Sequence, residues 1–112
     1  MTWRAQGFRA WLWQRVSAVY MALFLVGFFI VIVSGGPWDY EAWRGLIGHG
    51  VTSLLIAVFF LALLIHSWVG IRDVVIDYVH VVAIRLTVLG FAGLVLIAMG
   101  LWVMRILTLA SV

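Results

Sequence analysis

The chain has 112 residues, 67% hydrophobic and 10% charged, with a formal net charge of +3 and no cysteine. Soluble domains usually carry about 25% charged residues, and one this small buries too modest a share of its surface to hide so much apolar side chain, which excludes a soluble fold and leaves lipid as the fitting solvent. Every basic residue is Arg, set singly between apolar runs and not gathered on one face, so nucleic acid is excluded as a partner, and the lack of cysteine excludes disulfides and thiolate metal sites.

The first fifteen residues alternate aromatic and basic side chains: Trp3, Phe8, Trp11 and Trp13 among Arg4, Arg9 and Arg15. That mixture suits rings lying at headgroup depth, and predicts an N-terminal interfacial segment over 1–15. Residues 16–34 then contain no Asp, Glu, Lys or Arg. This apolar run is longer than the core of a secretory leader, so it is expected to be retained as a helix. Ser34-Gly35-Gly36-Pro37-Trp38-Asp39 ends it, since glycine turns freely and proline cannot continue a helix.

Two further uncharged runs follow, at residues 45–71 and 86–104. Each of the three reaches the roughly 18 apolar residues that mark a membrane-crossing helix. The expected fold is therefore all-α, with three transmembrane helices at 16–34, 45–71 and 86–104 in a single unit covering 1–112. Residues 72–85 are expected to form a polar connection that carries Asp73, Asp77, Tyr78 and His80.

Arginine counting sets the orientation. Arg4, Arg9, Arg15, Arg72 and Arg85 fall on one side, and Arg44 and Arg105 on the other. The positive-inside rule then places the N-terminus in the cytoplasm and the C-terminus outside. Tyr20, Gly27 and Ser34 on the first helix and Gly90, Gly93 and Gly100 on the third form stripes suited to helix packing.

The second helix differs. Ala62, His66, Gly70 and Asp73 share one helical face, so a histidine is flanked by small residues a turn above and below. A haem needs such a gap beside its ligand imidazole, whereas the plain alternative is a histidine hydrogen-bonded between helices. By the roughly 1.5 Å rise per residue, His66 lies about 9 Å from Arg72, inside the apolar layer. An ionisable group at that depth has a function or a partner. His49, in Gly48-His49-Gly50, is turned about 100° from His66 on an ideal helix, so the two do not suit stacked haems on one face, and His80 reads as a solvated loop histidine.

From His66 to Val79 the chain reads His66-Ser67-Trp68-Val69-Gly70-Ile71-Arg72-Asp73-Val74-Val75-Ile76-Asp77-Tyr78-Val79. With His66, Trp68, Gly70, Asp77 and Tyr78 at these spacings, the stretch resembles the signature of the smaller hydrophobic membrane anchor subunit of succinate dehydrogenase, respiratory complex II. The likeness continues through Ala83-Ile84-Arg85-Leu86. It implies a heteromeric helical bundle in which His66 is an axial ligand to the iron of haem b, Arg15 pairs with a haem propionate, Tyr78 donates to a ubiquinone carbonyl and Asp77 belongs to the same quinone site.

The resemblance also implies partners: a cytochrome b556-like companion anchor giving the second haem ligand, an iron–sulfur subunit and a flavoprotein subunit, in a bacterial inner (cytoplasmic) membrane. Arg72, Asp73 and Trp68 are candidate walls of the site. Gln14-Arg15-Val16-Ser17-Ala18 only faintly echoes the companion anchor's Ser/Arg quinone motif, so part of the quinone pocket is expected on another polypeptide. The chain then serves succinate:ubiquinone oxidation as a non-catalytic subunit. A haem-free structural anchor, a fumarate reductase anchor and a small transporter subunit are the competing readings. The transporter suits the sequence least, because the first and third spans carry no acidic residue.

Overall fold

The computed structural model describes the backbone of residues 3–111 and the side chains of residues 7–111. Trp3 and Arg4, assigned above to the leader, have side chains outside the described residues. The described chain is helical almost throughout: α1 at Trp3–Ser34, α2 at Tyr40–Gly48, α3 at Gly50–Tyr78 and α4 at Val82–Ala110. Helices α1, α3 and α4 are long and apolar enough to cross a bilayer. The chain is an all-α, multi-pass membrane protein.

The helix ends differ from those that hydropathy suggests. The 16–34 run is the second part of one uninterrupted 32-residue helix that begins at Trp3. Such a helix is about 48 Å long, against a hydrocarbon layer of about 30 Å. The aromatic and basic leader therefore prolongs the span and is not a separate helix lying across it. Residues 45–48 belong to α2, and the second span starts only at Gly50, with His49 extended between them at φ −63, ψ 134. At its other end α3 continues through Arg72, Asp73 and Asp77 to Tyr78. Loss of hydrophobicity ends a membrane crossing, not a helix; nothing in this stretch breaks the backbone ladder until Val79.

Helix α3 is the centre of the bundle, with α1 packed on one side and α4 on the other. Helix α2 closes one end by touching α3 and α4, while α1 and α4 do not pack on each other among the described residues. The principal extents, 51 × 25 × 23 Å, suit a bilayer of about 40–45 Å with its headgroups. Between α1 and α3, the Tyr20 hydroxyl donates to the Leu55 carbonyl at 2.9 Å, and Phe24 stacks on Phe59 with ring centroids 4.5 Å apart. Between α3 and α4, a Cβ built at Gly93 would meet the Trp68 ring at 3.6 Å, and one at Gly100 would meet Leu64 at 2.9 Å. Two of the three glycines in the α4 stripe thus admit side chains of α3; Gly90 faces open space, as does Gly27 on α1.

The turn after α1 is held by its own side chains. Gly36 has φ +110, a conformation other residues rarely adopt, and Trp38 folds back so that its indole N–H donates to Ile32 O at 2.9 Å. Asp39 caps α2 by accepting from the Ala42 N–H at 2.8 Å. Only Ile56, Ala62, Val69, Val75, Leu107 and Ser17 are buried among the described residues. The remaining apolar surface therefore faces lipid or another protein.

Two substitutions probe this frame in the purified, detergent-solubilised protein. Asp39→Ala removes the α2 cap and is expected to cost about 1 kcal/mol, read as a lowered Tm, with Asp39→Asn close to the parent. Gly48→Ala places a Cβ against the Ala110 carbonyl oxygen and 2.9 Å from its carbon. Backbone yields poorly, so the change is expected to cost about 1–3 kcal/mol and to speed proteolysis near the C-terminus.

Candidate functional site

Three polar side chains meet where α1 crosses α3. His66 Nδ1 lies 3.3 Å from Ser17 Oγ, and His66 Nε2 lies 3.3 Å from the Gln14 amide nitrogen. Ser17 is 5% exposed, the one buried polar residue in the described chain, and its hydroxyl also donates to the Gln14 carbonyl at 3.0 Å. The Gln14 side-chain oxygen is buried without a hydrogen-bond partner. In an interior where water is scarce, such an orphan costs about 1–3 kcal/mol.

Small residues allow this meeting. Ala62 is buried, and a Cβ at Gly70 would lie 3.8 Å from the Gln14 amide nitrogen. The face of α3 that carries Ala62, His66 and Gly70 is therefore turned toward α1. On α1, Gly7, Ala10, Gln14 and Ala18 repeat at helical spacing on one face.

Beside the meeting point is an open cleft of about 490 Å³. From α1 it is lined by Gly7, Ala10, Trp11, Gln14, Arg15 and Ala18, and from α3 by His66, Arg72 and Asp73. Two guanidinium groups thus share a wall with one imidazole. Arg15 rests over the Trp11 ring, 5.7 Å from its centroid, within reach of a cation–π attraction. Arg72 pairs with Asp73 at 3.2 Å, and since both are partly exposed the pair contributes at most about 1 kcal/mol.

Of the four residues singled out in the sequence, His66 and Arg15 meet in this cleft. Asp77 and Tyr78 do not line it. Both belong to the last turn of α3 and are exposed, Tyr78 to 78%. Ideal helix geometry puts Asp77 about 16 Å beyond His66 on nearly the same face, and Tyr78 about 120° round the axis. Trp68 stands on the α4 side of α3, in an apolar groove with Leu64, Ile65, Gly93, Leu96 and Ile97, and so does not wall the His66 cleft. His80 lies in the connection of residues 79–81 and is exposed. That connection is tied by Arg85, whose Nε donates to Val79 O at 3.1 Å.

Sequence reading gave Gln14 no role, and its available signal was the small-and-polar stripe Gly7, Ala10, Gln14, Ala18 facing a histidine on the neighbouring helix. Arg85, counted above only as an orienting charge, also caps a turn. Among the described residues no three His, Cys, Asp or Glu side chains come together in a way that could hold a metal ion.

These features define a three-span helical membrane protein with a half-buried histidine opening on a cationic cleft. Residues 2–107 match the model of the succinate dehydrogenase/fumarate reductase transmembrane subunit family. The chain belongs to that family and is a membrane anchor of its kind. It is 26% identical over 105 residues to the succinate dehydrogenase hydrophobic membrane anchor subunit of Coxiella burnetii (strain RSA 493 / Nine Mile phase I), a match covering 94% of this chain and 91% of the relative.

Arg85→Ala removes a charged donor from Val79 O and is expected to lower stability by about 1.5–3 kcal/mol. Faster amide exchange at residues 79–81 is the measurement. Exchange at the parental rate in Arg85→Ala would show that the turn holds without this bond.

Proposed function

We propose that this chain is the smaller membrane anchor of a succinate:ubiquinone oxidoreductase, contributing one ligand to haem b and a hydrogen-bond donor to ubiquinone. The observation that carries the reading is the His66 imidazole beside a cleft that also holds Arg15 and Arg72. A haem presents an iron to be ligated and two carboxylates to be neutralised, and the donors here are one neutral nitrogen and two cations. The residues fit the group. Small side chains at Gly7, Ala10 and Ala18 leave room for a flat macrocycle; the Gln14 oxygen, buried without a partner, is a polar group left over in the cluster.

In this reading His66 would bind the iron, and Arg15 would hold a propionate by a charge-assisted hydrogen bond. Bound haem b supplies one-electron redox chemistry at that point. A bis-histidine iron needs a second imidazole, so a companion anchor covers the open side of the cleft. The relative's name, which specifies succinate dehydrogenase, favours that direction over fumarate reduction.

Tyr78, exposed at the end of α3, donates its phenolic O–H to a quinone carbonyl. Such a bond strengthens as charge builds on the oxygen. Reduction to quinol takes two electrons, delivered from the iron–sulfur subunit, and two protons; Asp77 is placed to orient the donor or pass a proton. Since Tyr78 lies outside the His66 cleft, haem and quinone occupy separate places, and the remaining walls of the quinone site come from partner subunits. The N-terminal end of the bundle, with Arg9, Arg15, Arg72 and Arg85, faces the cytoplasm and receives the iron–sulfur and flavoprotein subunits, in a bacterial inner membrane.

Two variants of the assembled complex test these assignments. His66→Ala is expected to abolish the b-type reduced-minus-oxidised spectrum; an intact spectrum removes His66 as ligand. Tyr78→Phe is expected to cut quinone reductase turnover by about 10-fold or more, while succinate oxidation with an artificial dye acceptor persists. Unchanged quinone turnover would remove Tyr78 from the quinone site.

A further inference from the structure

A neutral imidazole has two tautomers, and only a ring nitrogen without a proton can bind iron. The contacts around His66 select between them. Ser17 has a single hydroxyl proton, and the Gln14 carbonyl 3.0 Å away can only accept it. With that proton committed, the Ser17 oxygen is left to accept from the ring, so Nδ1, at 3.3 Å, carries the hydrogen. The Gln14 side-chain amide, 3.3 Å from Nε2, can turn either its N–H2 or its oxygen to the ring, so the choice of tautomer falls to Ser17, and the amide must swing aside for iron to reach Nε2.

We infer that Ser17 is a positioning residue for the haem ligand: through the relay from His66 Nδ1–H to Ser17 Oγ to the Gln14 carbonyl, it fixes the tautomer of His66 and leaves Nε2 as the nitrogen that binds iron. The inference rests on the reading of His66 as axial ligand. Ser17 is suited to the task because it is buried, lies one turn from Gln14 on the same helix and has the Gln14 carbonyl as the nearer acceptor for its proton, at 3.0 Å against 3.3 Å to the ring. An acceptor on the far ring nitrogen also makes the ligand nitrogen more electron-rich. This favours ferric over ferrous iron and holds the haem midpoint potential low.

The test uses the complete complex carrying Ser17→Ala, Ser17→Thr and His66→Ala. Haem retention is measured as the haem-to-flavin ratio under challenge with apomyoglobin, and the midpoint potential by redox titration. Ser17→Ala is expected to weaken haem retention by about 10–100-fold, the usual effect of removing such a partner, and to raise the potential. Ser17→Thr, which keeps the hydroxyl, should restore both. Loss of the b-type signal in His66→Ala with parental retention and potential in Ser17→Ala would overturn the Ser17 assignment alone. Survival of the signal in His66→Ala would overturn the ligand reading beneath it. Should Ser17→Ala fail to assemble, Ser17→Cys replaces the oxygen with a weaker acceptor of similar size, and parental values there would equally overturn the role. A purely packing role would reduce assembly without moving the potential.

Discussion

An imidazole placed between helices in a bilayer has no water to satisfy it, so the neighbouring helices must do so. That constraint organises this protein. His66 reaches across the α1–α3 seam to Ser17 and Gln14, and the seam has to be close for those contacts to form. Ala62, which is buried, and Gly70, whose Cβ would meet the Gln14 amide, provide the closeness. Further along the seam, Tyr20 finds Leu55 O and Phe24 stacks on Phe59, so the packing of one half of the bundle follows the same line. Among the described residues the α3–α4 seam has no equivalent polar contact and is built from glycines meeting Trp68 and Leu64.

The polar cluster is nevertheless unfinished. Gln14 keeps a buried oxygen without a partner, the cleft beside His66 is open, and most large apolar side chains are exposed. The exposed apolar surface suits lipid as well as protein, and it is the family match that makes the chain one part of a larger assembly. An anchor that shares a haem with a companion subunit would have such a half-built surface. The short helix α2 and the Trp38 turn, in contrast, are complete in themselves, with cap, back-folded indole and glycine all in place.

Much of this was legible in the sequence. Three spans and the inward-facing His66 follow from spacing and charge, whereas the pattern through Asp77 and Tyr78 carries meaning only through the family resemblance. The errors concern helix ends and rotation. Hydropathy falls at Arg72, but the α3 ladder continues to Tyr78, so Asp77 and Tyr78 sit on a rigid helical turn and not in a loop. A window average likewise merges α2 with the start of α3, because one extended residue, His49, changes direction without changing polarity. Trp68, two residues from His66, is rotated about 200° on an ideal helix, which turns it to the α4 side. Gln14 was illegible as a partner of His66 because their contact depends on how two distant helices are rotated and offset against each other, which neither segment encodes alone.

The central claim is that this chain is half of a haem-binding pair within a larger respiratory enzyme. Affinity purification of the tagged chain from its native membrane tests that claim most directly. The account predicts recovery of a second small membrane subunit, an iron–sulfur protein and a flavoprotein in equal amounts, with one b-type haem per complex. Recovery of the chain without flavoprotein and iron–sulfur protein, or of a complete complex without haem, would contradict it.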